Sequence, residues 1–535
     1  MLQPRPDARG KRGILLLLLF SLVLNGIGIT YGLPGHFGWA PDEILPGQVR
    51  QGVRALFSHG WHQKYPPLHY YQLALVEAPI ILYGKLRGRS LGSLPFDSFL
   101  ILVGRLLSLF LGAAIVFLVY KCGLEIFDPK SSLFAAGIAA LLVPLVYYAK
   151  TANLDVPYLF WFMVSVLFFL RLLKTGQTKY YLLFALTAVL SICTKDQAYG
   201  LYAFAPLVVL IHDWVTRKKA NPGLTVVRFL KNPAYLYAAL VALGTFFVVQ
   251  NLAFNWRGFL AHVKLITGPT SANYRIVDNT LGGHLHLLGR ALSQIRFSLG
   301  WPLFLVCAAG VVWSLSSKKK NFLLLSLWTF AVPYEILYIH VIRFSFSRYY
   351  LPILLILSFY GGGFMAWIIE VRPKLARVSK AAAAVVFLYS AVYAFSLDIY
   401  MLKDSRYTAE KWIRQNVPKE ASFGLAVWRV YAPRLHGYRS FLLPLSLENF
   451  RKRPSRPDFV IVNEEFRQRF LPDSNPGRFF AYFDRGDEPY ELVFRCKTRL
   501  PRLPLNPSEV VAQINTINPG ILIYKKVKRP VQPER

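Results

Sequence analysis

Two carboxylates stand side by side at Asp42-Glu43, in the stretch Trp39-Ala40-Pro41-Asp42-Glu43 that follows the first long apolar segment. Acids just outside a membrane helix are costly unless water, a metal or a substrate meets them. One reading is a helix start, with an early proline and acidic groups at the positive end of the dipole. The chemical reading is a general base, with or without a metal, that takes the proton of an attacking hydroxyl. Asn153-Leu154-Asp155 offers another acid, either a helix cap or a second carboxylate for metal binding or substrate positioning. Cations suited to an anionic group occur at Lys64, beside Tyr65-Pro66-Pro67-Leu68, and at Lys195, in Thr194-Lys195-Asp196. They recur at Arg343 and Arg348, in Arg343-Phe344-Ser345-Phe346-Ser347-Arg348-Tyr349-Tyr350-Leu351-Pro352. An arginine there can hold a phosphate through a bidentate, charge-assisted contact, or snorkel to headgroups.

The elements that carry these residues are membrane segments. The chain is 54% hydrophobic, too apolar for an ordinary soluble protein of 535 residues. Apolar segments of roughly 17–22 residues, the length of a membrane span, recur at 14–31, 98–120, 132–149, 155–173, 180–194, 198–212, 234–254, 299–315, 321–341, 347–369 and 380–400. A shorter one at 69–83 carries Glu77. If 69–83 lies at the interface and the basic N-terminus is cytoplasmic, the stretches 171–179, 217–231, 318–320 and 372–380 are all cytoplasmic, short and rich in Lys and Arg. That is what the positive-inside rule requires, and it accounts for much of the net charge of +34 without nucleic acid.

About eleven spans follow, with an extracytoplasmic C-terminus. Asp42, Glu43, Lys64, Asp155, Lys195, Arg343 and Arg348 are then gathered on the outer side at the ends of separate helices, as around one polar cavity. From about 401 the texture changes. Phe459-Val460-Ile461-Val462 and Ile521-Leu522-Ile523-Tyr524 read as buried strands, and Glu410-Lys411-Trp412-Ile413 as an amphipathic helix stopped by Pro418. The expected organisation is a membrane domain over 1–400, with an outer loop 32–97 carrying the acidic motif, and an extracytoplasmic α/β domain over 401–535.

Taken in order, the first span, the outer Pro-Asp-Glu loop, the Lys-Tyr-Pro-Pro-Leu element with its short helix, Leu154-Asp155, Thr194-Lys195 and Arg348-Tyr349-Tyr350-Leu351-Pro352 resemble the GT-C glycosyltransferases. Within them the chain is most similar to the protein O-mannosyltransferase-like branch that includes the lipid A aminoarabinose transferase. The resemblance covers roughly 14–400. It implies a mainly α, polytopic fold and an inverting transferase that moves a sugar from a polyprenyl-phosphate donor to an acceptor hydroxyl or phosphate at the outer membrane face. It implies Asp42 as catalytic carboxylate with Glu43 beside it, and Asp155 as the second acidic position. It assigns Lys195 and Arg348 to the donor phosphate, with Lys64, Tyr65, Arg343 and Tyr349 in the substrate site.

A divalent metal, held by Asp42 and Asp155, is a possible cofactor, although no Asp-x-Asp motif is present. The Trp-Trp-Asp signature of oligosaccharyltransferases is missing too, which argues against whole-glycan transfer to asparagine. The expected setting is a bacterial inner membrane, the expected partners the donor, membrane lipids and a lipid, glycan or protein acceptor. The competing class is a transporter or lipid flippase. That class places ionisable groups near the midplane of matching halves, and neither feature is legible here.

Overall fold

The computed structural model describes residues 8–268, 275–317, 321–371, 373–485, 490–499, 501–514 and 516–527. The lysine run 318–320 and Arg372, both expected on the cytoplasmic side, lie outside the described residues. The chain forms two compact units. One comprises Met1–Ile29 and Glu43–Phe395; the other comprises Thr30–Asp42 and Ser396–Arg535. Thirty residues after its start, therefore, the chain leaves the apolar unit and returns to it at Glu43.

The first unit is helical. Among the described residues, seven helices are long and apolar enough to cross a membrane; an eighth is added if Pro233–Val249 and Leu252–Thr267, bent by 80°, form one broken span. The molecule is a multi-pass membrane protein, with seven or eight such helices among the described residues beside the eleven apolar segments of the sequence. Segment 132–149 is divided, into Pro129–Ala140 and Val143–Tyr148, where Pro144 begins a new turn. Segment 180–194 is the shorter helix Thr178–Ile192, and Leu68–Leu86, expected at the interface, also falls outside the seven.

Local signals set the helix ends. Asp128 caps Pro129–Ala140 by accepting from the Lys130 and Ser131 amides at 2.8 and 3.2 Å, and Asp155–Thr175 stops at left-handed Gly176. Helix Leu351–Val371 packs against Pro129–Ala140 so closely that a Cβ on Gly362 would lie 2.5 Å from the Ala135 amide nitrogen. Small residues of this kind let membrane helices approach. Asp155–Thr175, about 30 Å long at 1.5 Å per residue, has Asp155 at one end. At the other, Arg171 and Lys174 pair with buried Glu125, each at 2.9 Å.

The second unit is built on a five-stranded sheet. Its strands are β1 (Ser422–Leu425), β2 (Arg439–Leu442), β3 (Phe459–Asn463), β4 (Tyr490–Cys496) and β5 (Ile521–Lys526), in the order β2-β1-β3-β5-β4. β2, β1 and β3 run parallel, whereas β5 and β4 are antiparallel to their neighbours. β3 and β5, the two strands read from continuous apolar runs, form its buried centre. The helix around Trp412 runs Ser405–Asn416, capped by Asp404 and ended before Pro418. Ile413, Phe423, Phe459, Ile461, Phe479 and Ile523 belong to one core.

Candidate active site

The two adjacent acids have separate fates. Asp42 takes a left-handed backbone, φ +64°, and closes the segment that folds with the C-terminal unit. Glu43 opens the membrane unit and is 8% exposed. Arg105 grips it with two parallel bonds of 2.8 Å, Nε to Oε1 and a terminal nitrogen to Oε2. The Ala152 amide donates to Glu43 Oε1 at 2.8 Å, and the Ile44 amide donates to the Ala152 carbonyl at 3.0 Å. Arg105 also donates to the Ile29 carbonyl at 2.8 Å. Glu43 thus staples the returning chain onto the turn that leads to Asp155. Lys150, fully buried, donates to the Leu24 and Ile27 carbonyls at 3.2 and 2.9 Å, which satisfies the C-terminal end of the first helix.

Asp155, 1% exposed, begins helix Asp155–Thr175, and Leu154 rather than Asp155 is the N-cap. Its carboxylate faces cations from two other parts of the chain. Lys195 Nζ donates to Oδ1 at 2.6 Å, and an Arg348 nitrogen lies 3.8 Å from Oδ2. Lys195 is the extended residue between helix Thr178–Ile192 and the turn Asp196–Ala198. Arg348 sits in the turn Ser347–Tyr350 that opens helix Leu351–Val371.

Aromatic rings wall the group. Lys195 Nζ is 5.4 Å from the Tyr158 ring centroid and 5.9 Å from that of Tyr349, and the Arg348 guanidinium lies 5.8 Å from Tyr148 and 5.6 Å from Tyr349. The rings lower the local dielectric, which strengthens any contact of the two cations with an anion.

The other expected residues stand as follows. Lys64 is exposed, with its ammonium 5.2 Å from the ring of Tyr65. Tyr65 packs on the small core formed by Ile44, Val49, Tyr70, Leu73 and Leu154, which ties the proline loop to the residue before Asp155. Arg343 ends a helix in the left-handed region and accepts from the Ile276 amide through its carbonyl at 3.0 Å. Both oxygens of Asp155 face cations, Lys195 at 2.6 Å and Arg348 at 3.8 Å. Among the described residues, no group of three or more His, Cys, Asp or Glu could hold a metal ion.

Two features went unread in the sequence. Arg105 lies inside the apolar run 98–120, and an ionised group there signals an acidic partner. His262 bridges the Gln63 carbonyl at 2.9 Å and Asp196 at 3.1 Å, joining the proline loop to the residue after Lys195.

Residues 96–243, the stretch that carries Arg105, Asp155 and Lys195, match the family model described as dolichyl-phosphate-mannose-protein mannosyltransferase. Over that stretch the chain is similar to a family of membrane glycosyltransferases of the protein O-mannosyltransferase type. Among solved structures, the chain is similar to ArnT from Cupriavidus metallidurans in the apo state. The identity there is 11%, over 96% of this chain and 98% of that one, with a TM-score of 0.49. It is also similar to the Archaeoglobus fulgidus oligosaccharyltransferase, at 13% identity over 85% and 68% of the two chains, with a TM-score of 0.46. The S. cerevisiae Pmt1-Pmt2 complex matches at 17% identity over 56% of this chain and 38% of that one, with a TM-score of 0.35. A comparison with curated proteins finds no match.

Proposed function

We propose that this GT-C transferase moves one sugar from a polyprenyl-phosphate donor to an acceptor hydroxyl or phosphate at the outer face of a bacterial inner membrane, with inversion at the anomeric carbon. The observation that carries the reading is the group of buried Asp155 and Lys195 with half-buried Arg348, the cations at 2.6 and 3.8 Å from one carboxylate. In a single displacement the acceptor oxygen attacks the anomeric carbon, its proton passes to Asp42, and the carbon–oxygen bond to the donor phosphate breaks. The electron pair leaves with the polyprenyl phosphate, whose charge Lys195 and Arg348 neutralise as it develops. Asp155 keeps both cations aimed before the donor arrives. Glu43 serves to position rather than to transfer a proton, because both its oxygens are occupied by Arg105 and the Ala152 amide. Lys64, Tyr65, Arg343 and Tyr349 are proposed contacts to donor or acceptor. No step is routed through a metal.

An apolar groove of about 620 Å³ supports a long isoprenoid donor; its walls include Leu288, Leu292, Leu299, Ile336 and Leu357, with Glu335 and Tyr350 as polar members. The family's printed name, which specifies a dolichyl-phosphate sugar, supports the same donor class. The test is turnover by purified protein with a panel of undecaprenyl-phosphate sugars. Lys195→Met and Arg348→Met should each lower kcat by about 10²–10³-fold, the usual cost of losing one donor to a developing anion. Retained kcat in both variants would overturn the phosphate assignment. Absence of turnover by the wild-type chain with every donor would overturn the transfer reading.

A further inference from the structure

Segment Thr30–Asp42 ends on the proposed base, and the unit it folds with grips its side chains. Trp39, 1% exposed, is the centre of that grip. Arg406 places its guanidinium 4.3 Å from the Trp39 ring centroid and 5.4 Å from that of Tyr31, and Arg434 lies 5.1 Å from Trp39. The Tyr407 ring meets Trp39 edge-on at 4.7 Å. Acids of the same unit fix both arginines. Arg406 donates to both Asp404 oxygens at 2.9 Å, and Arg434 donates to both Glu410 oxygens at 2.8 and 2.7 Å.

The backbone is held as well. Arg434 donates to the Leu33 carbonyl and His436 Nε2 donates to the Pro34 carbonyl at 2.9 Å. The Tyr31 hydroxyl donates to Asp404 at 2.7 Å. Gly32, at φ +74°, has no room for a side chain, since a Cβ would lie 2.6 Å from the Trp39 amide nitrogen.

We infer that Arg406 and Arg434 are positioning residues for sugar transfer, clasping segment 30–42 so that the Asp42 carboxylate is held where it takes the acceptor proton. The inference rests on Asp42 being the base. A non-glycine residue at φ +64° persists only where its surroundings over-determine it. A base has to stay within hydrogen-bond reach of its proton, and a misplacement of about 1 Å costs on the order of 10²-fold in rate. The clasp uses arginine because one planar fork can chelate a carboxylate, reach a carbonyl and stack on an indole together; a lysine cannot do all three.

The test uses the full chain in nanodiscs, with whichever undecaprenyl-phosphate sugar supports turnover. Arg406 is fully buried, so the variants are Arg434→Lys, Arg434→Ala and, from the segment's own side, Gly32→Ala. Exchange of the 30–42 amides should quicken in all three, while β3 and β5 keep their protection. The kcat should fall by about 10- to 100-fold, with donor KM within about threefold, and Arg434→Lys should recover part of the loss shown by Arg434→Ala. Lys452→Ala, which removes an exposed ion pair of the same unit, should change neither readout. Unchanged exchange, or quickened exchange with kcat within twofold of wild type, overturns the inference. Asp42→Asn separates the two readings. Its full activity sinks the base assignment, whereas its inactivity beside Arg434→Ala and Gly32→Ala proteins with kcat within twofold of wild type sinks only the clasp.

Discussion

Asp42 and Glu43 are indistinguishable by composition, and the sequence treats them as one motif. Backbone geometry separates them, because the left-handed turn at Asp42 sends the next carboxylate into the protein to meet Arg105. The side chains of that pair are 1% and 0% exposed, so removing one charge strands the other in a medium that cannot solvate it. Glu43→Gln should therefore destabilise the protein by about 3–5 kcal/mol, read as a lowered midpoint of thermal unfolding in detergent. The double variant Glu43→Leu/Arg105→Leu should regain most of that loss, since a buried pair replaced by apolar groups is often near neutral. The double variant should transfer sugar poorly, because it loses the staple from Glu43 to the Ala152 amide. A double variant as unstable as the single would refute the buried-charge account. The acids were legible because ionised groups beside apolar runs are conspicuous. Arg105 was not, because a single cation in a long run averages out of the hydropathy.

At the scale of elements, legibility followed burial. β3 and β5 are covered on both faces, so their apolar runs are unbroken and were visible; β2, Arg439–Leu442, is an edge strand with no such run. Segment 132–149 reads as one run because hydropathy sums over Pro144 without sensing the lost hydrogen bond. One side chain governs how the parallel strands start. Asp458, just before β3, accepts from the Ser422 amide at 2.8 Å and its hydroxyl at 2.7 Å, at the head of β1. The hydroxyl bond, with the Ser422 amide and the Lys526 charge, outweighs desolvation and holds the Asp458 pKa below the usual carboxylate value. A depressed pKa favours the folded state above the unfolded-state value, near 4, and that contribution is lost as pH falls through the folded-state value. Protection of the β1 and β3 amides should therefore hold from pH 7 to about 5 and decline below about 4. Asp458→Asn should flatten that part of the profile, and an identical decline in the variant would rule the mechanism out.

For the whole molecule, the sidedness expected from the sequence rests on where charge is absent as much as where it occurs. Helix Asp155–Thr175 carries its acid at one end and a cationic pair at the other, so its direction fixes which groups share a face. If Asp155 opens outward, then Arg171, Lys174 and the connection to Thr178 are cytoplasmic, as short basic loops prefer. From the sequence, the C-terminal segment is expected on the same outer side as Asp155. Two exposed positions test this: Gln177, in that connection, and Glu420, just before β1. Each is changed to cysteine in a Cys496→Ser background, because the other three native cysteines are buried. A membrane-impermeant maleimide applied to intact spheroplasts should label the cysteine at 420 at once, and the one at 177 only after the membrane is opened. Labelling of 177 from outside would invert the helix, move Asp155, Lys195 and Arg348 to the cytoplasmic face, and require a donor presented from within the cell.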